Sequence, residues 1–374
     1  MLASCVLKIA SRCNMKCTYC YMYELADQTW MNQPKIMSQA VIAGFLERLD
    51  EYFNNYIGNN FLVVIHGGEP LLAGVPIMEQ LFSSITKIGH KRGVSVGFTV
   101  QTNSLLLNEE WINLFRKYNC IVGISLDGPS YVNDKRRKLH NGNATAHIVE
   151  RKIKLLQQEA EDIFSGCLAV IDPTVQGAKI VDYFHDLGVK KLDFLLPDQN
   201  YVIQSPHYPS ATDNISVYTE FLANAYIRWR EIDDPDYDIR FFRELVMAVF
   251  GKSPSLDSLG TNDANIFVIE TDGGMEPLDT FKCCGEDFTK LGLNVLDNSI
   301  TEFEENQSVK SLVQKSMNIP LNCSQCRYLG MCGGGYMPHR FNGIDFRSPS
   351  VYCDALFNIC ATIEADIKKA ILTS

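Results

Sequence analysis

No run of apolar residues in this 374-residue sequence is long enough to cross a bilayer as a helix. Its opening residues, Met1-Leu2-Ala3-Ser4-Cys5, lack a basic segment followed by a hydrophobic stretch and a cleavage site. A secretory leader is therefore not expected, and a cytoplasmic location without membrane partners is. Basic charge is short as well: 34 Lys and Arg against 44 Asp and Glu leave a net charge of −10. That balance disfavours nucleic acid as the main partner and admits a cationic or neutral substrate. No tandem repeat of solenoid type is present. Hydrophobic content of 46% with 21% charged residues is ordinary, so the chain can bury a globular core. The length allows two domains or one large α/β unit with an extension. Cysteine, in contrast, is plentiful. Thirteen of them in a chain with a cytosolic profile argue for metal ligation over disulfides.

Six short hydrophobic runs, at 5–10, 61–66, 95–101, 121–126, 165–171 and 191–196, are rich in Val, Ile, Leu and Phe. This is the composition of strands buried on both faces. Amphipathic stretches near 39–56, 77–91, 108–118, 145–158 and 178–187 lie between them and predict helices. The alternation predicts an α/β fold with parallel strands and right-handed crossovers, as a partial barrel or an open sheet. Cys13, Glu69, Asn103, Asp127, Asp172 and Asp198 each stand just past the end of one run. In parallel barrels that rim carries the active site, although loops are polar anyway. The rhythm stops near residue 200. Residues 201–214 read as a loop, and a helix is expected at 215–231 before the turn at 233–236. The expected division is a core at 1–235 and a cysteine-containing extension at 236–374.

The first cysteine group is Cys13-Asn-Met-Lys-Cys17-Thr-Tyr-Cys20-Tyr21. Three thiolates at this spacing can hold three irons of a [4Fe–4S] cube and leave the fourth iron open to a cofactor. A zinc site or unrelated cysteines are the alternatives. His66-Gly67-Gly68-Glu69-Pro70 follows the second run; its glycines permit close backbone approach, and Glu69 could accept hydrogen bonds from an ammonium group. A tight turn with a solvated glutamate would read the same way. Together these motifs resemble the radical S-adenosylmethionine (SAM) superfamily. The resemblance implies a partial (β/α)6 barrel, a cluster on Cys13, Cys17 and Cys20, and a SAM pocket at Tyr21, His66, Gly67, Gly68 and Glu69. It adds Ser125 of Ser125-Leu126-Asp127-Gly128-Pro129 as a further SAM contact. Capping is the ordinary role for Ser125, and a satisfied strand end for His66. Arg136 and Arg137 read as a solvated loop, and Cys5, Cys120 and Cys167 as small buried hydrophobes.

Near the C-terminus, Cys323, Cys326, Cys332 and Cys353 supply four soft ligands, enough for a closed cluster or for zinc. The block resembles the SPASM extension of peptide-modifying radical SAM enzymes, which implies one auxiliary [4Fe–4S] cluster on these four. The fuller SPASM pattern has a cysteine after the glycine in the segment matching Gly273-Gly274-Met275-Glu276-Pro277-Leu278-Asp279, and another soon after Cys332. Neither is present, so a second auxiliary cluster is not expected. Cys283 and Cys284 then have no assigned role, and Cys360 has no obvious partner.

The segment Cys20–Trp30, with 66–74 and 271–285, resembles a SPASM subgroup, the three-residue cyclophane-forming maturases of FxsB, GrrM and XyeB type. That resemblance implies a radical SAM oxidoreductase joining an aromatic ring carbon to a side-chain β-carbon in a precursor peptide. An electron donor such as flavodoxin or ferredoxin is implied with it. Asp127, Asp172, Asp198 and Glu24 are candidates for the proton acceptor by expected location. The alternatives are an anaerobic sulfatase-maturating type, which makes formylglycine, a thioether- or ether-forming peptide maturase, and a non-enzymatic iron–sulfur electron-carrying scaffold.

Overall fold

Strands form where the hydrophobic runs stand. The computed structural model describes residues 2–373. In chain order they are β1 (Ser4–Ala10), the short β2 (Met15–Cys17), β3 (Asn60–Gly67), β4 (Ser95–Thr102), β5 (Cys120–Ser125), the short β6 (Arg137–Leu139), β7 (Phe164–Val170) and β8 (Lys191–Leu195). Three short strands follow: β9 (Asp238–Ile239), β10 (Ile266–Ile269) and β11 (Met275–Glu276). Nine of these make one sheet in the order β11-β10-β1-β3-β4-β5-β7-β8-β9. It is parallel throughout except at the β10–β11 edge. The six runs form its consecutive middle, from β1 to β8.

The crossovers are helical, as expected: α1 (Gln39–Asn54), α2 (Val75–Arg92), α3 (Glu109–Lys117), α4 (Ser130–Arg136), α5 (Ala146–Glu159) and α6 (Gly177–Asp186), followed by α7 (Ile215–Ile232) and α8 (Arg240–Val249). Local chemistry sets their ends. The Ser38 hydroxyl accepts from Val41 N at the start of α1, and the Asn108 side chain accepts from Trp111 N at the start of α3. α2 stops at Gly93, whose φ of +72° suits a residue without a Cβ, just after His90, Lys91 and Arg92 meet the negative end of the helix.

The strands are not buried alike on both faces. In β3, Phe61, Val63 and Ile65 are buried against the helices, whereas Leu62, Val64 and His66 face the concave side and are only partly covered. The reason is a cavity. The curved sheet leaves its inner face to Val6, Val64, Leu168 and Val170, which line an internal space instead of a second layer of helices. The sheet also continues past residue 235, because β10 pairs with β1 on the side away from β3. The last helix, Cys353–Thr373, lies on α7 and α8, with the Tyr226 hydroxyl donating to Asp366 at 2.6 Å.

Candidate active site

The loop after β1 carries the first cysteines. β2 within it pairs antiparallel with β6, which sets Cys17 opposite Arg137. Cys13 Sγ accepts from Met15 N at 3.4 Å and faces the Asn103 amide at 3.6 Å. The chain then turns so that Cys20 N reaches Cys17 O and Glu24 N reaches Cys20 O. The two glycines after β3 let this loop sit against the strand end. A Cβ on Gly67, at φ +130°, would lie 2.1 Å from Ala10 O, and one on Gly68 would lie 1.8 Å from the Tyr23 hydroxyl.

All three cysteines line a cavity of about 450 Å³ at the carboxyl ends of the strands. Tyr21, His66, Gly67, Gly68, Gln101, Asn103, Ser125, Asp127 and Arg137 share its wall, as do Asp198, Asp279, Tyr336 and His339 from later in the chain. Of the expected SAM contacts, Glu69 lies behind the wall. Its carboxylate accepts from Leu71 N at 3.0 Å, the Thr102 hydroxyl at 2.7 Å and Asn103 N at 2.8 Å. It thereby fixes the Asn103 loop beside Cys13. The Ser125 hydroxyl accepts from Gln101 at 2.8 Å. His66 is half-buried with its Nδ1 sealed from solvent and unpartnered, and this desolvation lowers its affinity for a proton.

The acidic candidates divide. Asp127 is on the wall but held: the Tyr19 hydroxyl donates to it at 2.8 Å and Val170 N at 3.1 Å, while Arg137 donates to Tyr19. Asp172 is not on the wall. Burial pushes its carboxyl up, but Arg136 at 2.7 Å and Thr174 outweigh this and bring it to about 2. Glu24 is exposed and off the cavity. Asp198 is on the wall, 3.7 Å from His339 Nε2. Arg136 and Arg137 are buried, contrary to the solvated-loop reading, because the β2–β6 ribbon and the Tyr208 ring close over them.

One carboxylate was missed. Asp279 faces the cavity and accepts from the Tyr21 hydroxyl at 2.6 Å, with Lys8 Nζ at 3.1 Å. Burial raises its carboxyl, but Lys8, His66 and Tyr21 more than offset that and hold it below the ordinary carboxylate range. Lys8 continues to Glu270 at 3.0 Å, and Lys282 joins Glu270 at 3.2 Å to Glu276 at 2.8 Å, all buried. A lysine in the middle of the hydrophobic run of β1 was the available signal, since a buried ammonium needs acidic partners.

The later cysteines gather around the start of the last helix. Cys326 N donates to Cys323 O, Cys332 sits in a four-residue helical turn at 329–332, and Cys353 opens the last helix. Partial desolvation pushes the thiol of surface-exposed Cys353 up to about 11, with neighbouring Cys332, Cys323, Asp354 and Cys326 adding to the shift. Cys283 and Cys284 instead pack in a separate apolar cluster with Phe281, Met337, Phe341 and Phe346. Cys5, Cys120, Cys167 and Cys360 are buried and free.

Residues 7–189 match the model of the radical SAM superfamily. The chain has the radical SAM α/β fold. The cysteine-type anaerobic sulfatase-maturating enzyme of Clostridium perfringens (strain 13 / Type A) is 28% identical over 330 residues, covering 87% of this chain and 86% of the relative. The serine-type enzyme of Bacteroides thetaiotaomicron is 25% identical over 354 residues, covering 90% of this chain and 83% of the relative. The solved structure of native anSMEcpe with bound AdoMet superposes with a TM-score of 0.84 at 26% identity, over 98% of both chains. With AdoMet and the Kp18Cys peptide bound, the TM-score is 0.83 at 26% identity, over 99% of both.

These relatives correct the expected reaction. Nearly full-length similarity runs to sulfatase-maturating enzymes, not to cyclophane-forming ones. The segment that suggested the crosslink has another use here. Tyr21 holds Asp279, and Tyr23 packs against Gly68 and edge-on to Trp30. Those residues shape the cysteine loop and report little about the product.

SAM and [4Fe–4S] clusters are the cofactors of this radical SAM fold, and this chain's residues fit both. The cavity combines three cysteines with polar atoms left without partners, the Tyr23 hydroxyl and His66 Nδ1. Among the described residues no three His, Cys, Asp or Glu side chains converge on a single-ion site. A cube needs no such convergence, because each thiolate binds a different iron. Among the described residues, no helix is long and apolar enough to cross a membrane.

Proposed function

We propose that this chain is a radical SAM maturase that oxidises one cysteine or serine side chain of a peptide substrate to formylglycine, the reaction of the sulfatase-maturating type. One observation carries the reading. A single cavity has the Cys13–Cys17–Cys20 loop on one wall and an ionised carboxylate, Asp279, on the wall contributed by the C-terminal segment, in a chain similar over nearly its whole length to such enzymes.

When bound at the cysteine loop, the cluster and SAM supply the agent that removes a hydrogen atom from the substrate's β-carbon. The chain's own residues do the rest. Glu69 fixes Asn103, and with Gly67 and Gly68 shapes the SAM side of the cavity. Tyr21 and Lys8 keep Asp279 ionised but weaken it as a base, so it takes the proton of the substrate thiol or hydroxyl once loss of the β-hydrogen has made that proton more acidic. Loss of that hydrogen atom, that proton and one electron converts the C–S or C–O single bond to a double bond. For serine this gives the aldehyde directly. For cysteine, water replaces sulfur and hydrogen sulfide leaves. Cys323, Cys326, Cys332 and Cys353 would hold the auxiliary cluster that accepts this electron, and a flavodoxin- or ferredoxin-like donor would supply the reducing one.

The test is incubation of the reconstituted chain with SAM, reductant and peptides carrying one cysteine or one serine. The expected product is an aldehyde captured by a hydrazide probe. A peptide lighter by two hydrogens that does not react with the probe and carries an internal crosslink would overturn the reading.

A further inference from the structure

Arg340 is the largest side chain fully buried in the described structure. Its guanidinium is held by backbone carbonyls: Nε donates to Gly335 O at 3.1 Å, Nη1 to Asn318 O at 3.2 Å, and Nη2 to Gly333 O and Gly335 O. Among the described residues no carboxylate is within ion-pair distance of it; its cup is built on Gly333, the residue directly after Cys332, and the ionisable groups near it are the thiols of Cys332 and Cys323 and a second buried cation, Lys315. The carbonyl cup requires the Gly333-Gly334-Gly335 run. All three adopt positive φ, +63°, +80° and +81°, and a Cβ on Gly334 would lie 3.3 Å from the Arg340 guanidinium carbon. A buried cation without an anionic partner is costly. Four thiolates carrying an iron–sulfur cube supply the missing negative charge.

We propose that Arg340 is the buried counter-charge of the auxiliary cluster on Cys323, Cys326, Cys332 and Cys353 and raises its reduction potential, making it the better electron acceptor. This rests on the auxiliary-cluster reading. The physical reason is direct: reduction adds one negative charge to the cluster, and a fixed nearby cation in a low-dielectric surround stabilises that charge. The glycine run, which stands where the fuller SPASM pattern has a further cysteine, builds the seat of this cation.

The experiment uses the full chain with Cys13, Cys17 and Cys20 changed to alanine, so that the auxiliary cluster is observed alone. Arg340→Gln and Arg340→Lys are compared with this parent for iron content, then titrated potentiometrically by electron paramagnetic resonance. About four irons per chain are expected in each. Arg340→Gln should lower the reduced-to-oxidised ratio at a fixed potential roughly tenfold, about 59 mV for a one-electron couple. Arg340→Lys should largely restore it. The iron-free Arg340→Gln protein should unfold no more easily than its iron-free parent, a result that a merely structural role would not give. If Arg340→Gln loses iron but Arg340→Lys keeps it, the charge requirement also stands. An unshifted potential in iron-loaded Arg340→Gln, or equal iron loss in both variants, overturns the inference while leaving the cluster reading intact. A parent that binds zinc or no iron overturns the cluster reading itself, and the inference with it.

Discussion

The two cysteine groups of this chain are built on opposite plans. Cys13, Cys17 and Cys20 sit on a loop closed by the β2–β6 ribbon and face a cavity whose largely apolar wall carries polar side chains. Cys323 and Cys332 sit on short helical turns with Cys326 between them, and exposed Cys353 opens the last helix; there are four thiols in place of three, with buried Arg340 and Lys315 beside them. A cube on the first group would leave one iron open and a space for reactants. A cube on the second would leave neither, with Arg340 as the proposed counter-charge. On the proposed function, the difference is that between a site for bond chemistry and a site for electron storage.

The largest effect should come from removing the first group. Cys13→Ala, Cys17→Ala and Cys20→Ala together should abolish SAM cleavage and reduce iron from about eight to about four per chain. Iron analysis and 5′-deoxyadenosine chromatography check this. Continued 5′-deoxyadenosine release would erase the distinction between the two groups.

Next in size is Asp279→Asn. Loss of a positioned base should slow peptide oxidation by roughly a hundredfold or more while SAM cleavage persists. The ratio of product to 5′-deoxyadenosine is the readout. If both fall together, Asp279 belongs to the SAM side of the cavity and not to the substrate side.

The sequence made the barrel legible for a definite reason. Six parallel strands with helical crossovers leave a strong, local record in alternating hydrophobic runs, and each observed strand lies within a residue or two of its run. The cysteine spacings were equally local. What escaped notice depends on distant partners. Arg136 and Arg137 look like solvated charges until β2 pairs with β6 and Asp172 comes round from after β7. Asp279 looks like one turn residue among several until Lys8 and Tyr21 meet it across more than 250 positions. Gly333–Gly335 marks a missing cysteine in the sequence and a guanidinium seat in the fold. The reaction type was the least legible, because the residues that resembled a crosslinking subgroup serve the shape of the loop.

A smaller effect is expected at Glu69. Glu69→Gln turns one acceptor oxygen into a donor facing Leu71 N, the Thr102 hydroxyl or Asn103 N. SAM affinity should fall by about tenfold through displacement of the Asn103 loop, the scale of one hydrogen bond to a charged group. Equilibrium binding of SAM to iron-loaded protein measures it. Unchanged affinity would place the Asn103 loop outside the SAM site.

The smallest effect is on acid stability. Asp172 has a folded-state carboxyl lowered to about 2. Its ion pair with Arg136 therefore adds stability above the ordinary carboxylate range and loses it as pH falls toward 2. Asp172→Asn should cost about 1 kcal/mol near neutral pH, discounted because Lys135 on the other side is half-exposed, and nothing near pH 2. Denaturant unfolding at several pH values separates the two cases. A cost independent of pH would mean that packing, not charge, is what Asp172 contributes.

The central claim is that the cavity carries out radical oxidation of a peptide side chain. The most direct measurement uses a cysteine- or serine-containing peptide deuterated at the β-carbon, incubated with SAM, reductant and the reconstituted chain. The account predicts deuterium in 5′-deoxyadenosine together with an aldehyde at the labelled residue. Deuterium retained in the peptide, or transferred without any aldehyde, would contradict it.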